Sequence, residues 1–399
     1  MHKIEADLIS TISGFSRAGD LNNLEFLYHA ERVAYTSWRI GRKMQFSKEQ
    51  LYDLVLSALL HDFGIMTTDE KLKLADLEPE PGLTAIHCER GYELLKPTKL
   101  FGRYARTVLE HHDYYTPNMS LMPAIIHLAD RLDHILKRDK YYLWQIDDIL
   151  AYFQARKKKI FHPAACEALA ELGEIAGFWL DLQHGNYRAV FQAELSAYHL
   201  LNLDELEEIA HLMAVIVDSK SPFTGDHSLG VARVAAFLAA KLGMGPEKVR
   251  LIKIAALLHD VGKLAVPDEV LMHPGRLDKR QRDIMKQHTY HTYYLIGAIG
   301  PGAAPLQRWA AYHHERLNGT GYPFALGGPE LEPEARLIAV ADITQSLLEA
   351  RPYRPSFSQE KITEILLENV RLGHLDGELT QLALDHLGEI AGNAAAASS

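Results

Sequence analysis

Apolar residues recur along this chain in steps of three and four. Leu203, Leu206, Ile209, Met213, Ile216 and Val217 share one helical face, and Val249, Ile252, Ala255, Ala256 and Leu258 share another. No sustained alternation of apolar and polar positions, the mark of a half-buried strand, interrupts them. The pattern predicts an all-α protein. Gly41 and Gly243 follow apolar stretches and are expected to end helices in the left-handed conformation. HPGR at 273–276 and NGTGYP at 318–323 read as turns. The stretch from about 171 to 203 carries Phe178, Trp179, Leu180, Tyr187, Phe191 and Tyr198 and reads as connecting helices, packed between domains or subunits or simply as inter-domain core. AGNAAAASS at the end has too little to bury and is expected to fray.

The face ending at Leu258 runs directly into His259 and Asp260, ahead of Gly262. One adjacent His–Asp pair means little, because a buried histidine is most often a hydrogen-bonded core residue. Its neighbours change the picture: His227 upstream, then His288, His313, His314 and Asp342 downstream. Seven nitrogen and oxygen ligand residues suffice for two divalent cations. Neutral imidazole suits iron, manganese, zinc and nickel, and a carboxylate such as Asp260 can bridge two ions about 3.5–4 Å apart.

The motifs SPFTGDH, HDVGK, HPGRL, MKQH, HHERLNGTGYP, ARLIAVAD and RPYR follow in order. With them, residues 205–390 resemble an HD-GYP domain, a branch of the HD metal-dependent phosphohydrolases that opens cyclic dinucleotides. The resemblance implies one metal on His227, His259, Asp260 and Asp342, and another on Asp260, His288, His313 and His314. It implies catalytic roles for Asp260 and Lys263, and substrate contacts from Lys263, Gly321, Tyr322, Pro323, Arg351 and Arg354. Some members carry a glutamate four residues before the first histidine and hold a third metal. Phe223 stands there, so two metals are expected, iron or manganese first, nickel or zinc as alternatives. Ile343, Thr344 and Gln345 after Asp342, and Asn318 in the loop, also depart from the family pattern and bear on base preference.

An internal repeat gives the second result. His29 and His61 are separated by 32 positions, as are His227 and His259. HDFGI at 61–65 aligns with HDVGK, His87 with His288, His111 and His112 with His313 and His314, and Asp130 with Asp342. From the second paired histidine to the last aspartate there are 18 positions in the first copy and 28 in the second; the extra ten fall at the GYP loop. The first half thus resembles an HD domain with all its metal positions filled: His29, His61, Asp62, His87, His111, His112 and Asp130. Ile65 replaces the lysine, GYP is absent, and KRDKYY stands in place of RPYR. Losing that lysine removes a charge suited to phosphoryl oxygens. Three readings of this half are open: a regulatory or dimer-forming domain, a second catalytic centre, or a metal-free scaffold. Burying unpaired His and Asp together is costly, which argues against the scaffold.

Several residues also have local readings. Lys263 suits a helix C-terminus as a cation, Arg351 and Arg354 suit a solvated surface or bidentate phosphate contact, and Gly321, Tyr322 and Pro323 suit a tight turn. Glu315 is expected to be an exposed helix charge, with support of a paired histidine as the alternative. His162, His184, His273, His291 and His374 match no ligand position.

A length of 399 residues allows two domains. The expected division is 1–178 for the first HD domain, 179–204 for connecting helices, 205–390 for the HD-GYP domain and 391–399 for a disordered tail. With 24% charged and 47% hydrophobic residues the composition is that of a globular protein. The net charge of -10 argues against binding polymeric nucleic acid, while leaving a small anionic ligand open to locally gathered cations. Cys88 and Cys166 form no CxxC pair, no apolar run reaches membrane length, and no leader is apparent, so a cytoplasmic protein without a membrane partner is expected. A homodimer is the default assembly.

The resemblance implies a metal-dependent phosphodiesterase acting on cyclic di-GMP or, because a degenerate HD domain precedes the HD-GYP domain, on 3′3′-cGAMP. The linear dinucleotide produced would be open to a second cut into mononucleotides. A non-hydrolysing cyclic-dinucleotide sensor, and a nucleotide phosphohydrolase acting through the first HD domain, are the competing expectations.

Overall fold

The computed structural model describes residues 6–21, 26–76, 81–195, 198–220, 226–349 and 356–396. Every regular element among them is helical, and no β-strand occurs beyond isolated bridges. The chain divides into two compact units that meet in sequence at Leu200 and Leu201.

The first unit contains α1 (Leu8–Asp20), α2 (His29–Lys43), α3 (Lys48–Leu60), α4 (Thr68–Leu74), α5 (Pro81–Leu95), α6 (Gly102–Glu110), α7 (Leu121–Ile135), α8 (Ile146–Arg156), α9 (Pro163–Gly173), α10 (Ala176–His184) and α11 (Tyr187–Glu194). Ser47 starts α3 with a capping box, its hydroxyl accepting from Gln50 N while the Gln50 side chain accepts from Ser47 N. Leu54, Val55, Leu56, Ala58 and Leu60 of α3 are fully buried against neighbouring helices, α2 above all. Each such leucine contributes about 1.5–3 kcal/mol by leaving water.

The second unit repeats this arrangement with α12 (Leu203–Lys220), α13 (His227–Lys241), α14 (Pro246–Leu258), α15 (Asp268–Leu271), α16 (Lys279–Met285), α17 (Gln287–Gly297), α18 (Ala304–Ala311) and α19 (Pro333–Leu348), completed by α20 (Gln359–Arg371), α21 (Gly377–Asp385) and α22 (Leu387–Ala396). Here α13 packs on α14 and α19 as α2 packs on α3 and α7. The ligand-bearing residues stand at helix starts, helix ends and one helix middle, so this packing brings them together.

Some expectations are corrected. Residues 179–200, set aside as connecting helices, belong to the first unit. Phe178, Trp179, Leu182 and Tyr187 are buried there, Trp179 Nε1 donates to Gly173 O at 3.2 Å, and Phe178 stacks on Tyr35 with ring centroids 6.0 Å apart. Their apolar face is thus core rather than linker. Gly243 ends α13 in the left-handed region at φ 73°, but Gly41 lies inside α2, where a Cβ would sit 2.9 Å from Leu54 Cδ2. Residues 391–396 of the expected tail continue α22, and 397–399 lie outside the described residues.

Candidate metal centres

In the second unit the α14 helix ends at Leu258, and His259 and Asp260 follow in the turn before the 3-10 segment Val261–Ala265. Gly262 lets that turn lie on α17: a Cβ there would be 1.9 Å from His288 O. Thr292 of α17 accepts from Gly262 N at 3.0 Å and donates to His259 O at 3.0 Å. Together these contacts hold the HD turn against the helix that carries His288.

Two ligand triads result. His227, His259 and Asp342 form one, and His288, His313 and His314 the other, each with its ligand atoms within 4.8 Å of one another. Asp260 lies between them. Its Oδ2 is 3.2 Å from His259 Nε2, and its Oδ1 is 3.4 Å from His288 Nε2 and 4.0 Å from His313 Nε2. His259, His288 and His313 each donate Nδ1–H to a backbone carbonyl three residues earlier, at 2.7 Å, leaving Nε2 for the centre. His227 is oriented instead by Glu349, whose Oε2 lies 3.1 Å from its Nδ1. Lys263 Nζ pairs with Asp260 Oδ2 at 2.5 Å.

Electrostatics divide the centre in two. Burial pushes His288 down to about 3, and burial with neighbouring imidazoles pushes His313 well below the usual range. These rings are neutral, ligand-ready imidazoles. Burial opposes a proton on His227, yet Asp342 and Glu349 override it and raise the group to about 10. Asp260 is held far below the carboxylate range, against its burial, by His259 and Lys263. A proton on His227 thus stands where a cation would. His259 Nε2 is buried without a hydrogen-bond partner despite its closeness to Asp260. Imidazole nitrogens turned on carboxylates shared between them are the donor set of divalent cations, so the residues fit a metal pair.

The first unit reproduces the first of these triads and groups its other ligand residues differently. His29, His61 and Asp130 form one triad, and His61, Asp62 and His111 another. Asp62 Oδ1 is 3.2 Å from His61 Nε2 and 3.9 Å from His87 Nε2, while its Oδ2 is 3.5 Å from His29 Nε2. His112 Nε2 lies 4.0 Å from Asp130 Oδ2. Both His29 Nε2 and His61 Nε2 are buried without hydrogen-bond partners. Burial opposes a proton on His29, but Asp130 and Asp133 raise it to about 9; burial lowers His87, His111 and His112. The same division recurs, with Asp133 in the orienting role of Glu349, 2.7 Å from His29 Nδ1.

All fourteen expected ligand residues therefore converge in two centres. Gly321, Tyr322 and Pro323 lie beside the second, where the Tyr322 ring is 5.0 Å from that of His314 and a Cβ on Gly321 would sit 2.4 Å from Glu315 Cα. The Tyr322–Pro323 bond is cis. Glu315 is not the exposed helix charge expected: it is buried, and its carboxylate accepts from Phe324 N at 2.7 Å and Leu326 N at 3.0 Å, pinning the loop. Asn318 shapes the same loop, donating to Leu372 O at 2.8 Å and accepting from Thr320 N at 3.0 Å. Phe223, Arg351 and Arg354 lie outside the described residues.

Sequence reasoning missed Glu349, Asp133 and His134, which stacks on His29 at 4.8 Å and lies 3.2 Å from Asp130. It also missed the third cluster of the first unit, His87, Cys88 and His111, and the lysine Lys71. For Asp20 and Asp218 a signal existed. Each stands nine positions before the first histidine of its repeat, and each accepts a backbone N–H at the helix start, from His29 at 3.1 Å and Ser228 at 2.9 Å.

Comparison with known proteins agrees with this geometry. Two family descriptions reading "HD domain" match the chain, one over residues 26–135 and one over 211–379. The chain is 30% identical over 381 residues to 3′3′-cGAMP-specific phosphodiesterase 1 of Vibrio cholerae serotype O1, spanning 91% of this chain and 88% of that protein. It is 42% identical over 135 residues to the cyclic di-GMP phosphodiesterase response regulator RpfG of Xanthomonas campestris, spanning 33% and 35% of the two chains. A crystal structure of the V. cholerae cyclic GMP-AMP-specific phosphodiesterase V-cGAP3 superposes with a TM-score of 0.66 over 96% of this chain and 98% of that one, at 23% identity, a likeness of fold. On the two matched regions and the identity over nearly its whole length, the chain belongs to the HD-domain family, among members that carry two such domains in tandem.

Proposed function

We propose that the chain is a metal-dependent cyclic-dinucleotide phosphodiesterase working at the centre of its second unit, with 3′3′-cGAMP as substrate. The observation that carries the site is the pair of triads bridged by Asp260, with Lys263 against the bridging carboxylate. The substrate follows from the relative matched across 91% of this chain. Cyclic di-GMP is the second reading, supported by the higher identity to the cyclic di-GMP phosphodiesterase of X. campestris over a shorter stretch.

In this reading His227, His259, Asp260 and Asp342 hold one cation, and Asp260, His288, His313 and His314 the other. The nitrogen-rich set with carboxylates suits iron or manganese, with nickel or zinc also within its range. When bound, such a pair lowers the pKa of water and supplies a nucleophile near neutral pH. The chain's own residues do the rest. Lys263 holds a fixed positive charge where charge develops on the phosphoryl oxygens, and Arg351 and Arg354 add guanidinium contacts to phosphate. The loop pinned by Glu315 sets Tyr322 against His314, where a base can stack on its ring. Ring opening yields a linear dinucleotide.

The deciding experiment offers 3′3′-cGAMP and cyclic di-GMP separately to protein loaded with manganese or ferrous iron, beside a His259→Ala/Asp260→Ala variant. The expected result is linear product, faster from 3′3′-cGAMP and absent in the variant. Metal-loaded protein that binds either dinucleotide and returns it unchanged would replace the enzyme by a sensor.

A further inference from the structure

The first unit carries a thiol where the second carries a hydroxyl. Cys88 follows His87 in the first repeat, and Thr289 follows the corresponding His288 in the second. Thr289 is committed to its own helix, its hydroxyl donating to Lys286 O at 3.0 Å. Cys88 instead turns its Sγ into the centre, 3.6 Å from His87 Nε2 and 3.5 Å from His111 Nδ1. His87, Cys88 and His111 are all buried, and their ligand atoms lie within 4.8 Å of one another. The corresponding group of the second unit, His288, His313 and His314, offers nitrogen alone.

Backbone contacts set which nitrogens face the centre. His111 Nδ1 meets Val108 O at 2.6 Å and His87 Nδ1 meets Leu83 O at 3.4 Å, so each ring offers Nε2. The two Nε2 atoms are 3.3 Å apart. A tetrahedral zinc ion, with Zn–N of about 2.0–2.1 Å and Zn–S of about 2.3 Å, holds its ligand atoms about 3.3–3.6 Å from one another. The nitrogen pair at 3.3 Å and the sulfur–nitrogen pair at 3.6 Å have that spacing. A fourth ligand stands beside them: Asp62 Oδ1 is 3.9 Å from His87 Nε2, and Asp62 also groups with His111 within 4.8 Å.

We propose that Asp62, His87, Cys88 and His111 hold a zinc ion in a closed four-ligand site, beside a second cation on His29, His61, Asp62 and Asp130. As the thiolate takes the ion, the thiol proton passes to solvent. A thiolate ligand favours zinc over the harder manganese ion, so the two units differ in metal as well as in loop. Four protein ligands leave no position for a reacting water, which is the form of a site that stabilises a fold. This inference does not depend on the substrate proposed for the second unit.

The test uses the full chain, whose other cysteine, Cys166, directs its Sγ to Phe153 O at 4.0 Å. Cobalt(II) is the probe, because a bound thiolate adds a sulfur-to-metal charge-transfer absorption that nitrogen and oxygen ligands do not give. That absorption is expected in the parent and in Cys166→Ser, and its loss is expected in Cys88→Thr, which installs the residue of the second unit. Changing even a partner of a metal ligand costs about 10–100-fold in metal affinity, so Cys88→Thr is expected to weaken zinc binding at least about tenfold. Elemental analysis after dialysis against equal zinc and manganese reads the selectivity, with the parent expected to retain one more zinc per chain than Cys88→Thr. A cobalt-loaded parent without the absorption would overturn the proposal whether or not the variants fold. An absorption kept in Cys88→Thr and lost in Cys166→Ser would overturn it by placing the thiolate elsewhere, and equal zinc retention in parent and Cys88→Thr would overturn the choice of metal.

Discussion

His61, His111, His259, His288 and His313 each fold back so that Nδ1 meets a carbonyl three residues earlier, at 2.6–2.7 Å. Four of them follow the last turn of a helix, where carbonyls lack helical partners, so one hydrogen bond both caps the helix and aims Nε2 at the centre. This is why histidine at a helix end followed by aspartate was readable as chemistry. Lys71 was not readable, because its place beside Asp20 and Asp62 comes from tertiary approach of α4 and not from spacing within a motif. Glu315 was misread for a similar reason, since local pattern does not reveal that a loop folds over it. The protonation pattern gives a stability prediction for metal-free protein. His227 and His29 are raised to about 10 and about 9, so their contribution is complete below the ordinary value of about 6.5 and is lost as pH rises from there through 9–10. His288 is lowered to about 3, and its contribution is lost as pH falls from about 6.5 towards 3. The melting temperature of chelated protein is therefore expected to peak near pH 6–7 and fall on both sides, and manganese is expected to abolish the alkaline fall by displacing the protons. A melting temperature that keeps rising from pH 7 to 9 without metal would contradict the assignment. For catalysis, Lys263→Met is expected to lower kcat by about 10²–10³ with metal retained, as for loss of a charge at developing oxyanions; steady-state kinetics with metal analysis checks it.

Among the elements, the repeat was the most legible feature, because equal spacing of histidines survives wherever two helices must meet with fixed loop lengths. The reason for the glycines was less legible. Gly262 and Gly64 both serve close approach, with a Cβ falling 1.9 Å from His288 O and 2.0 Å from His87 O. Only glycine lets the HD turn rest on the next ligand-bearing helix. Gly262→Ala is expected to push α17 away from the turn and strip metal from the second unit, whereas Gly19→Ala, with nothing within 4 Å of its Cβ, is expected to be neutral; elemental analysis and melting curves separate the two. The loop from Leu317 to Gly327 depends on Glu315, whose two accepted N–H bonds are charge-assisted. Removing them costs about 1.5–3 kcal/mol each. Glu315→Ala is expected to leave metal content intact and raise KM, with protease cleavage appearing in the loop; an unchanged KM would remove the loop from substrate binding. The expected boundary at 178–204 went astray because apolar richness marks burial without naming the partner, and here α10 and α11 are buried in the first unit.

For the whole molecule, the net charge of -10 leaves the proposed small anionic substrate to positive charge gathered locally, as at Lys263 beside Asp260 and at the proposed cations. No helix among the described residues is long and apolar enough to cross a membrane. Each centre draws all its ligand residues from one unit: His29 to Asp130 lie within Asp7–Leu200, and His227 to Asp342 within the unit that holds Ala6 and Leu201–Ser399. Disabling one centre therefore leaves the ligands of the other in place. On the proposed assignment the loaded chain holds two cations per unit, and His29→Ala/Asp62→Ala is expected to halve its metal content. The same variant chooses among the readings of the first half. If the units act separately, cyclic-dinucleotide hydrolysis stays within about threefold of the parent, since a change that touches no group at the reacting centre removes no transition-state contact. Loss of hydrolysis with the second unit's metal still present would make the first unit a regulator of the second. A metal content unchanged by His29→Ala/Asp62→Ala would return the first half to a metal-free scaffold in which His29 Nε2 and His61 Nε2 are held by Asp62 and Asp130 alone.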